Sequence, residues 1–152
     1  MKHLSRYRGS VDQRIGDEFQ AAFWSAKRAM AEASEAAFQR HGVRSGQQWI
    51  LRRLWDEDGQ TPGEIARQLE LSTPTVTKAA MRMEAAGLID RRPDPRDARL
   101  VRLVLSERGR ALEKTIAEEM AQLARRSLAT LSEDEVRALV TALTTIRRNL
   151  QI

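Results

Sequence analysis

The chain has 152 residues, the size of one compact domain with a modest core. Lysine and arginine number 26 against 21 aspartates and glutamates, a formal net charge of +5, which favours a polyanionic partner: nucleic acid first, an anionic membrane surface second. The sequence has no apolar run long enough to span a membrane and no signal-peptide core, so we expect a soluble, cytoplasmic protein. The absence of cysteine excludes disulfides, thiolate metal sites and cysteine redox switches.

A long helix is predicted over residues 11–39, which contain no proline. Its apolar residues recur at steps of four and three and form a narrow seam: Ile15, Phe19, Ala22, Ala26, Ala29, Ala33 and Ala37. The small alanine side chains permit close approach of another helix, and Gly42 supplies the stop. A short second helix then runs to a turn at residues 58–59, and Ser45 with Gln48 resembles the capping box that would start it.

Two helices joined by a tight turn are predicted next. The Thr-Pro-Gly-Glu segment at residues 61–64 combines a cap oxygen, a helix-compatible proline and a carboxylate at the spacing of a helix start. Thr73 is the predicted N-cap of the following helix, with Pro74 at its first position and Gly87 at its end.

A β-hairpin and two amphipathic helices complete the predicted elements. Residues 88–92 and 100–105 are β-compatible runs separated by a polar, proline-containing turn. Ser106 opens a long helix that extends to Leu131. A second capping-box pattern at residues 132–135 then starts the last helix.

Helix, turn, helix and basic hairpin in this order predict a winged helix-turn-helix, whose second helix reads duplex DNA. The inner face of that helix is formed by Val76, Ala79, Ala80 and Met83, and its outer face by Thr77, Lys78, Met81 and Arg82. Lys78 and Arg82 can donate to guanine edges or phosphates, and Thr75 and Thr77 can bond to bases or backbone. The helix N-terminus adds amides directed at a phosphate.

The hairpin carries five arginines against three aspartates, a local charge of +2 (five minus three). A slender tip with Arg96 and Arg99 suits a narrow minor groove, where the negative potential is strongest. Asp94 or Asp97 is expected to brace an arginine rather than to meet DNA. The alternative is an ordinary solvated hairpin, and the preceding helix-turn-helix is what favours a wing.

These segments resemble the MarR family, the multiple-antibiotic-resistance type of bacterial winged-helix regulators. The motifs that carry the resemblance are Thr-Pro-Gly-Glu-Ile-Ala at 61–66, Leu-Ser-Thr-Pro-Thr-Val-Thr-Lys at 71–78, Gly-Leu-Ile at 87–89 with Arg91 and Arg92, and Asp-Pro-Arg-Asp-Ala-Arg at 94–99 leading to Leu-Ser-Glu-Arg-Gly at 105–109. The resemblance implies a mainly α fold with a small β-hairpin wing. It also implies that Arg96 and Arg99 approach the minor groove and that Thr75, Thr77, Lys78 and Arg82 face the major groove. The candidate DNA-binding residues are Ser72, Thr73, Thr75, Thr77, Lys78, Arg82, Arg91, Arg92, Arg96 and Arg99.

A homodimer is expected because one such module buries too little DNA for selective binding, whereas two read half-sites roughly 34 Å apart. We expect one MarR-like domain over 1–152, with dimerisation helices at 11–42 and 106–152 and a DNA-binding lobe at 45–105. The alternative is that these apolar stripes only close the monomer's own core. The predicted partner is a pseudo-palindromic operator in double-stranded DNA, and the predicted role is that of a repressor.

A small aromatic or phenolic effector, bound between the dimer helices and the reading head, is a further expectation from the resemblance. Its candidate ligands are Trp24, His41, Arg44 and Trp49. The competing explanation is that aromatic residues at helical spacing form core, and that His41 is a favourable partner for a helix dipole. A basic arm at Lys2, Arg6, Arg8 and Arg14 could touch phosphates, although a solvated terminus is the expected alternative.

Other classes of function receive less support from the sequence. With two separated histidines, no cysteine and no phosphate-binding glycine loop, we expect neither an enzyme, a metal site nor a cofactor. A protein-binding module would be expected to have an acidic or apolar outer face on the reading helix, whereas this face carries Thr77, Lys78 and Arg82. A membrane-surface helix would need its lysines and arginines along one helix face, whereas the basic cluster of this sequence lies on the hairpin.

Overall fold

The computed structural model describes residues 12–151, so the predicted basic arm at Lys2, Arg6 and Arg8 lies outside the described residues. Six helices and one antiparallel hairpin occur within this range. They are α1 (Gln13–Arg40), α2 (Gln47–Asp56), α3 (Pro62–Leu69), α4 (Thr73–Ala85), β1 (Ile89–Pro93), β2 (Val101–Leu105), α5 (Glu107–Ser127) and α6 (Glu133–Leu150). The predicted fold class, mainly α with a β-hairpin wing, is confirmed.

Local capping starts three of the helices as the sequence predicts. The Thr61 hydroxyl accepts from the Glu64 amide while the Glu64 carboxylate accepts from the Thr61 amide, a complete capping box for α3. Ser132 starts α6 in the same way, and the Ser106 hydroxyl accepts from the Gly109 amide at 3.0 Å to start α5. These starts depend on residues three apart, which is why the sequence alone locates them.

Two predicted caps are wrong. The N-cap of α2 is Gly46, at φ 87°, and no side chain caps it; the side-chain oxygen of Gln47 instead accepts from the Arg44 amide, so Ser45 and Gln48 form no capping box. The N-cap of α4 is Ser72 rather than Thr73, since the extended backbone of Ser72 lets its hydroxyl accept from the Thr75 amide.

The end of α5 also differs from the prediction, because this helix stops at Ser127 and not at Leu131. The Ser127 hydroxyl donates to the Leu123 carbonyl at 2.7 Å, and Leu128 closes a turn by accepting from the Leu131 amide. A turn therefore separates α5 from α6.

The hydrophobic core lies inside the lobe formed by α2, α3, α4 and the hairpin, with the end of α1 and the start of α5 closing it. Its fully buried large side chains are Phe38, Val43, Ile50, Leu51, Leu54, Ile65, Val76, Met83, Leu88, Ile89 and Leu103. A third chain segment joins the hairpin, because Gln60 pairs with Leu103 in an antiparallel bridge. The sequence does not predict this pairing, which ties the start of α3 to the wing.

Outside the lobe, α1 and α5 form a stem. Ser34 donates to the Met120 sulfur and His41 lies 2.7 Å from Glu119, so the two helices are in contact along their shared length. The first part of the α1 seam is not covered by residues 12–151, since Ile15 and Phe19 are 55% and 44% exposed. No residue of α6 is buried.

Candidate nucleic-acid interface

The helix α4 presents two different faces, as its sequence pattern predicts. Val76, Ala80 and Met83 are fully buried against the lobe, whereas Lys78 and Arg82 are exposed. The outer face therefore consists of a cationic surface held on a rigid, well-packed helix.

The N-terminal turn of α4 is polar and open to solvent. Ser72, Thr73 and Thr75 are all exposed, and Thr77 is half-buried one turn further along. The Ser72 and Thr75 hydroxyls lie 2.7 Å apart while Ser72 also caps the helix. The free amides of this turn point out of the helix end, where an anion is favourable.

Asp94 organises the base of the wing. It is 7% exposed and accepts from the amides of Arg96 and Asp97, at 2.7 and 3.0 Å, and from the Arg102 guanidinium. This contact with Arg102, followed by the Arg96 amide, lowers the pKa of Asp94. Arg102 also donates to the Gly59 carbonyl at 2.9 Å. Arg102 is thus a structural residue that holds the wing to the loop before α3.

Asp97 holds the second wing arginine. Its carboxylate accepts from Nε and Nη2 of Arg99 at 3.0 and 3.1 Å, and this side-chain contact lowers the pKa of Asp97. The Arg99 side chain is nevertheless 90% exposed. Its guanidinium is therefore oriented outward and partly neutralised.

The two arginines at the end of β1 are also paired. Arg91 donates from its amide and its Nε to the Glu84 carboxylate, at 2.9 and 3.1 Å, which ties the wing to α4 and lowers the pKa of Glu84. Arg92 lies 3.3 Å from Asp90. Both remain candidate phosphate contacts, but each already has a carboxylate partner.

Three predicted cations differ from the rest in that Lys78, Arg82 and Arg96 form no ion pair within residues 12–151. A cleft of about 560 Å³ separates α4 from the wing. Its walls include Thr77, Arg91 and Arg99, and also Arg67 of α3. Arg67 is not among the binding residues predicted from the sequence, although its place one turn after the Glu64 cap puts it on the same side of α3 as the cleft.

The four effector candidates line neither of two cavities found among the described residues. Trp24 and Trp49 are about half exposed, at 54% and 53%; Lys27 lies 4.8 Å from the Trp24 ring, and Arg44 is exposed. The Nε2 atom of His41 is already bonded to Glu119. This contact and that with Arg40 lower the pKa of Glu119. The competing expectation for the tryptophans, a buried core position, is wrong for both.

No cluster of three or more histidine, aspartate or glutamate side chains with metal-binding geometry lies within residues 12–151. No helix in the same range is long and apolar enough to cross a membrane.

An antiparallel hairpin set beside the second helix of a helix-turn-helix defines a winged-helix protein. Residues 45–101 match the model of the MarR family. The sequence is 31% identical over 101 residues to the HTH-type transcriptional regulator TtmR of Methylorubrum extorquens, a match that covers 66% of this chain and 52% of TtmR. The chain thus spans about half the length of that relative.

Solved structures show the same fold. YusO of Bacillus subtilis superposes with a TM-score of 0.81 at 23% identity, covering 92% of this chain and 99% of YusO. A MepR mutant of S. aureus, solved bound to an oligodeoxyribonucleotide, gives a TM-score of 0.70 at 24% identity and covers 88% of this chain and 98% of MepR.

Over residues 45–101 the chain is similar to the MarR family. The predicted resemblance is therefore confirmed. TtmR is a transcriptional regulator by name, and this agrees with the prediction that the chain is not an enzyme.

Proposed function

We propose that this chain is a cytoplasmic transcriptional regulator that binds double-stranded DNA through α4 and the wing. The observation that carries the proposal is the combination of an exposed cationic helix face, Lys78 and Arg82, with a wing that exposes Arg96 and Arg99. Arg99 also lines the open cleft between the wing and α4. An acidic or apolar face in this place would have favoured a protein partner. The DNA-bound MepR structure shares the fold.

We assign the DNA contacts by the position of each side chain and by whether it already forms an ion pair within the chain. Lys78, Arg82, Thr75 and Thr77 contact the major groove, where lysine and arginine donate to guanine edges. Arg96, which is unpaired within the described residues, enters the minor groove or binds the phosphates beside it. Arg99 makes the same kind of contact once the DNA phosphates compete with Asp97 for its guanidinium. The remaining candidates, Ser72, Thr73, Arg91 and Arg92, contact phosphates and set the register.

The chain acts as a homodimer, with 11–42 and 106–152 as dimerisation segments and 45–105 as the DNA-binding lobe. The support is an apolar surface that this chain leaves uncovered: on α6, Val140 is 58% and Leu150 80% exposed, and Leu139 and Leu143 are each about two-fifths exposed. Residues of this type on one amphipathic helix require a partner surface. A two-fold dimer then reads a pseudo-palindromic operator.

Repression, with release by a small aromatic or phenolic effector, is the proposed regulation. His41, Arg44 and Trp49 supply an imidazole, a guanidinium and a half-exposed indole near the junction of α1 and α2, whereas Trp24 lies roughly 24 Å back along α1. An effector acts only if it binds two dimer geometries with different affinity. Salicylate titration of the protein–DNA complex tests this step, and an operator affinity that is unchanged at millimolar salicylate would contradict it for that ligand.

The test of DNA binding begins with selection of bound sites from random duplexes, which reveals the half-sites and their spacing together. Lys78→Ala and Arg82→Ala are then measured on the selected site, and each should cost about 1–3 kcal/mol of binding free energy if its side chain reads a base. Arg110→Ala is the matched control, because Arg110 has the same charge but pairs with Asp58 away from α4 and the cleft. Enrichment of no sequence, or equal binding by all three variants, would refute the assigned surface.

A further inference from the structure

The C-terminal ends of α1 and α4 both lie beside the start of α5. The last turn of every helix leaves carbonyl oxygens without a helical partner, here including those of the C-cap residues His41 and Ala86. The backbones of α1 and α4 share little direct packing. The position of α1 relative to α4 is therefore set by the elements that lie between them and by side chains at this junction.

One side chain bonds to both ends. Arg108 of α5 donates from Nη1 to the Ala86 carbonyl at 2.6 Å and from Nη2 to the His41 carbonyl at 2.9 Å. A guanidinium is planar and its donors have a fixed spacing, so two such bonds fix the separation of the two acceptors. The positive charge also suits two helix C-termini at once.

The surroundings of Arg108 are built for this contact. Gly42 has φ +76°, and a Cβ atom there would lie 2.9 Å from Arg108 Nη2, so glycine suits the left-handed backbone and leaves room for the guanidinium in its present position. On the other side, the Ser106 hydroxyl donates to the Gly87 carbonyl at 2.6 Å. The first turn of α5 is thus fixed to the end of α4 at two points.

We propose that Arg108 is a positioning residue that sets the angle between α1, in the stem, and the reading helix α4. It bonds to the C-terminal end of α4, whereas the candidate reading residues begin at the N-terminal end, so it acts without touching DNA. Its functional consequence, which rests on the proposed function, is that it fixes the half-site spacing that a dimer accepts.

The angle is measured first, without DNA. Because the chain contains no cysteine, Gln20→Cys on α1 and Ala85→Cys on α4, both exposed, place spin labels on the two helices without competing sites. The labelled full chain is diluted with excess unlabelled chain, so that only the pair within one chain contributes to the distance distribution. Arg108→Ala should broaden and shift this distribution. Arg110→Ala, with the same loss of charge, should leave it unchanged.

Spacing selectivity is measured next, on duplexes whose two half-sites are moved apart or together by one and two base pairs. The preference of the parent protein for its best spacing should fall by about threefold or more in Arg108→Ala, while affinity for an isolated half-site stays as in Arg110→Ala. Arg108→Lys, which retains the charge but loses the rigid fork, provides the second variant if the alanine variant does not fold, and should show the same direction of change.

The outcomes separate the two proposals. An unchanged distance distribution in folded variants overturns the positioning role, even if their thermal stability falls. A changed distribution with unchanged spacing preference overturns the link to operator spacing. If the parent protein binds no duplex but the distribution still changes, the proposed function fails and Arg108 still fixes the helix angle.

Discussion

The substitution Gly109→Ala tests how closely α5 packs on the lobe. A Cβ atom at position 109 would lie 2.1 Å from the Leu88 carbonyl oxygen and 3.3 Å from Leu105 Cδ2. The nearer atom belongs to backbone, which cannot rotate away. Relief therefore requires α5 to move by about 1 Å, away from the carbonyl that accepts the Ser106 amide.

One favourable and two unfavourable contributions decide the size of the change in stability. Alanine in place of glycine inside a helix gains about 1 kcal/mol. Overpacking of a filled site costs about 1–3 kcal/mol, and a weakened hydrogen bond at Leu88 costs about 1 kcal/mol more. The free energy of unfolding should therefore fall by about 1–3 kcal/mol, which lowers the thermal midpoint by about 2–4 °C for each kcal/mol in a chain of this size.

The assay is urea unfolding followed by the fluorescence of the three tryptophans, at one protein concentration because dimerisation would contribute to stability. Gly63→Ala is the matched control: the nearest atom to its added Cβ is Arg67 Nη1 at 3.8 Å, so it should be neutral or stabilising by about 0.4–1 kcal/mol. If Gly109→Ala proved as stable as Gly63→Ala, the close packing of α5 on Leu88 would be refuted.

Three further predictions concern the wing and the dimer. Arg96→Ala should weaken binding to specific and random duplexes alike and reduce the slope of log K against log salt by about 1; an unchanged slope in filter binding would argue against a phosphate contact. Because Arg102 lowers the pKa of Asp94 in the folded state, the unfolded chain takes up the proton first, so this stabilisation is present above the ordinary aspartate pKa of about 3.9 and is lost as pH falls through the lower folded value. In Asp94→Asn, the free energy of unfolding should therefore fall less steeply as the pH is lowered from 5 to 2. Urea titrations that show the same steepness in the variant and in the parent chain would contradict this role of Asp94. Leu143→Glu should convert a dimer into a monomer in analytical ultracentrifugation, and a parent chain that is itself monomeric at micromolar concentration would overturn the dimer.

The sequence by itself determined the order of the elements and the starts of α3, α5 and α6. Capping boxes at residues 61–64 and 132–135 require only residues three apart, and the outer face of α4 follows from a period of 3.6. Such interactions are local, so they can be found in one segment at a time. Where two adjacent residues can each provide the cap oxygen, as Ser72 and Thr73 do, the local pattern leaves a choice that backbone geometry settles.

Only the tertiary structure decided which groups three of the arginines meet. Arg91 meets Glu84 across the junction of α4 and β1, Arg102 meets Asp94 across the hairpin, and Arg108 meets the ends of two separate helices. Each pairing depends on a distance through space between residues that are 7 to 67 positions apart in the chain. The sequence counts all these arginines as equivalent charges, because the energy of an ion pair depends on separation and solvent exposure, which only the folded chain defines.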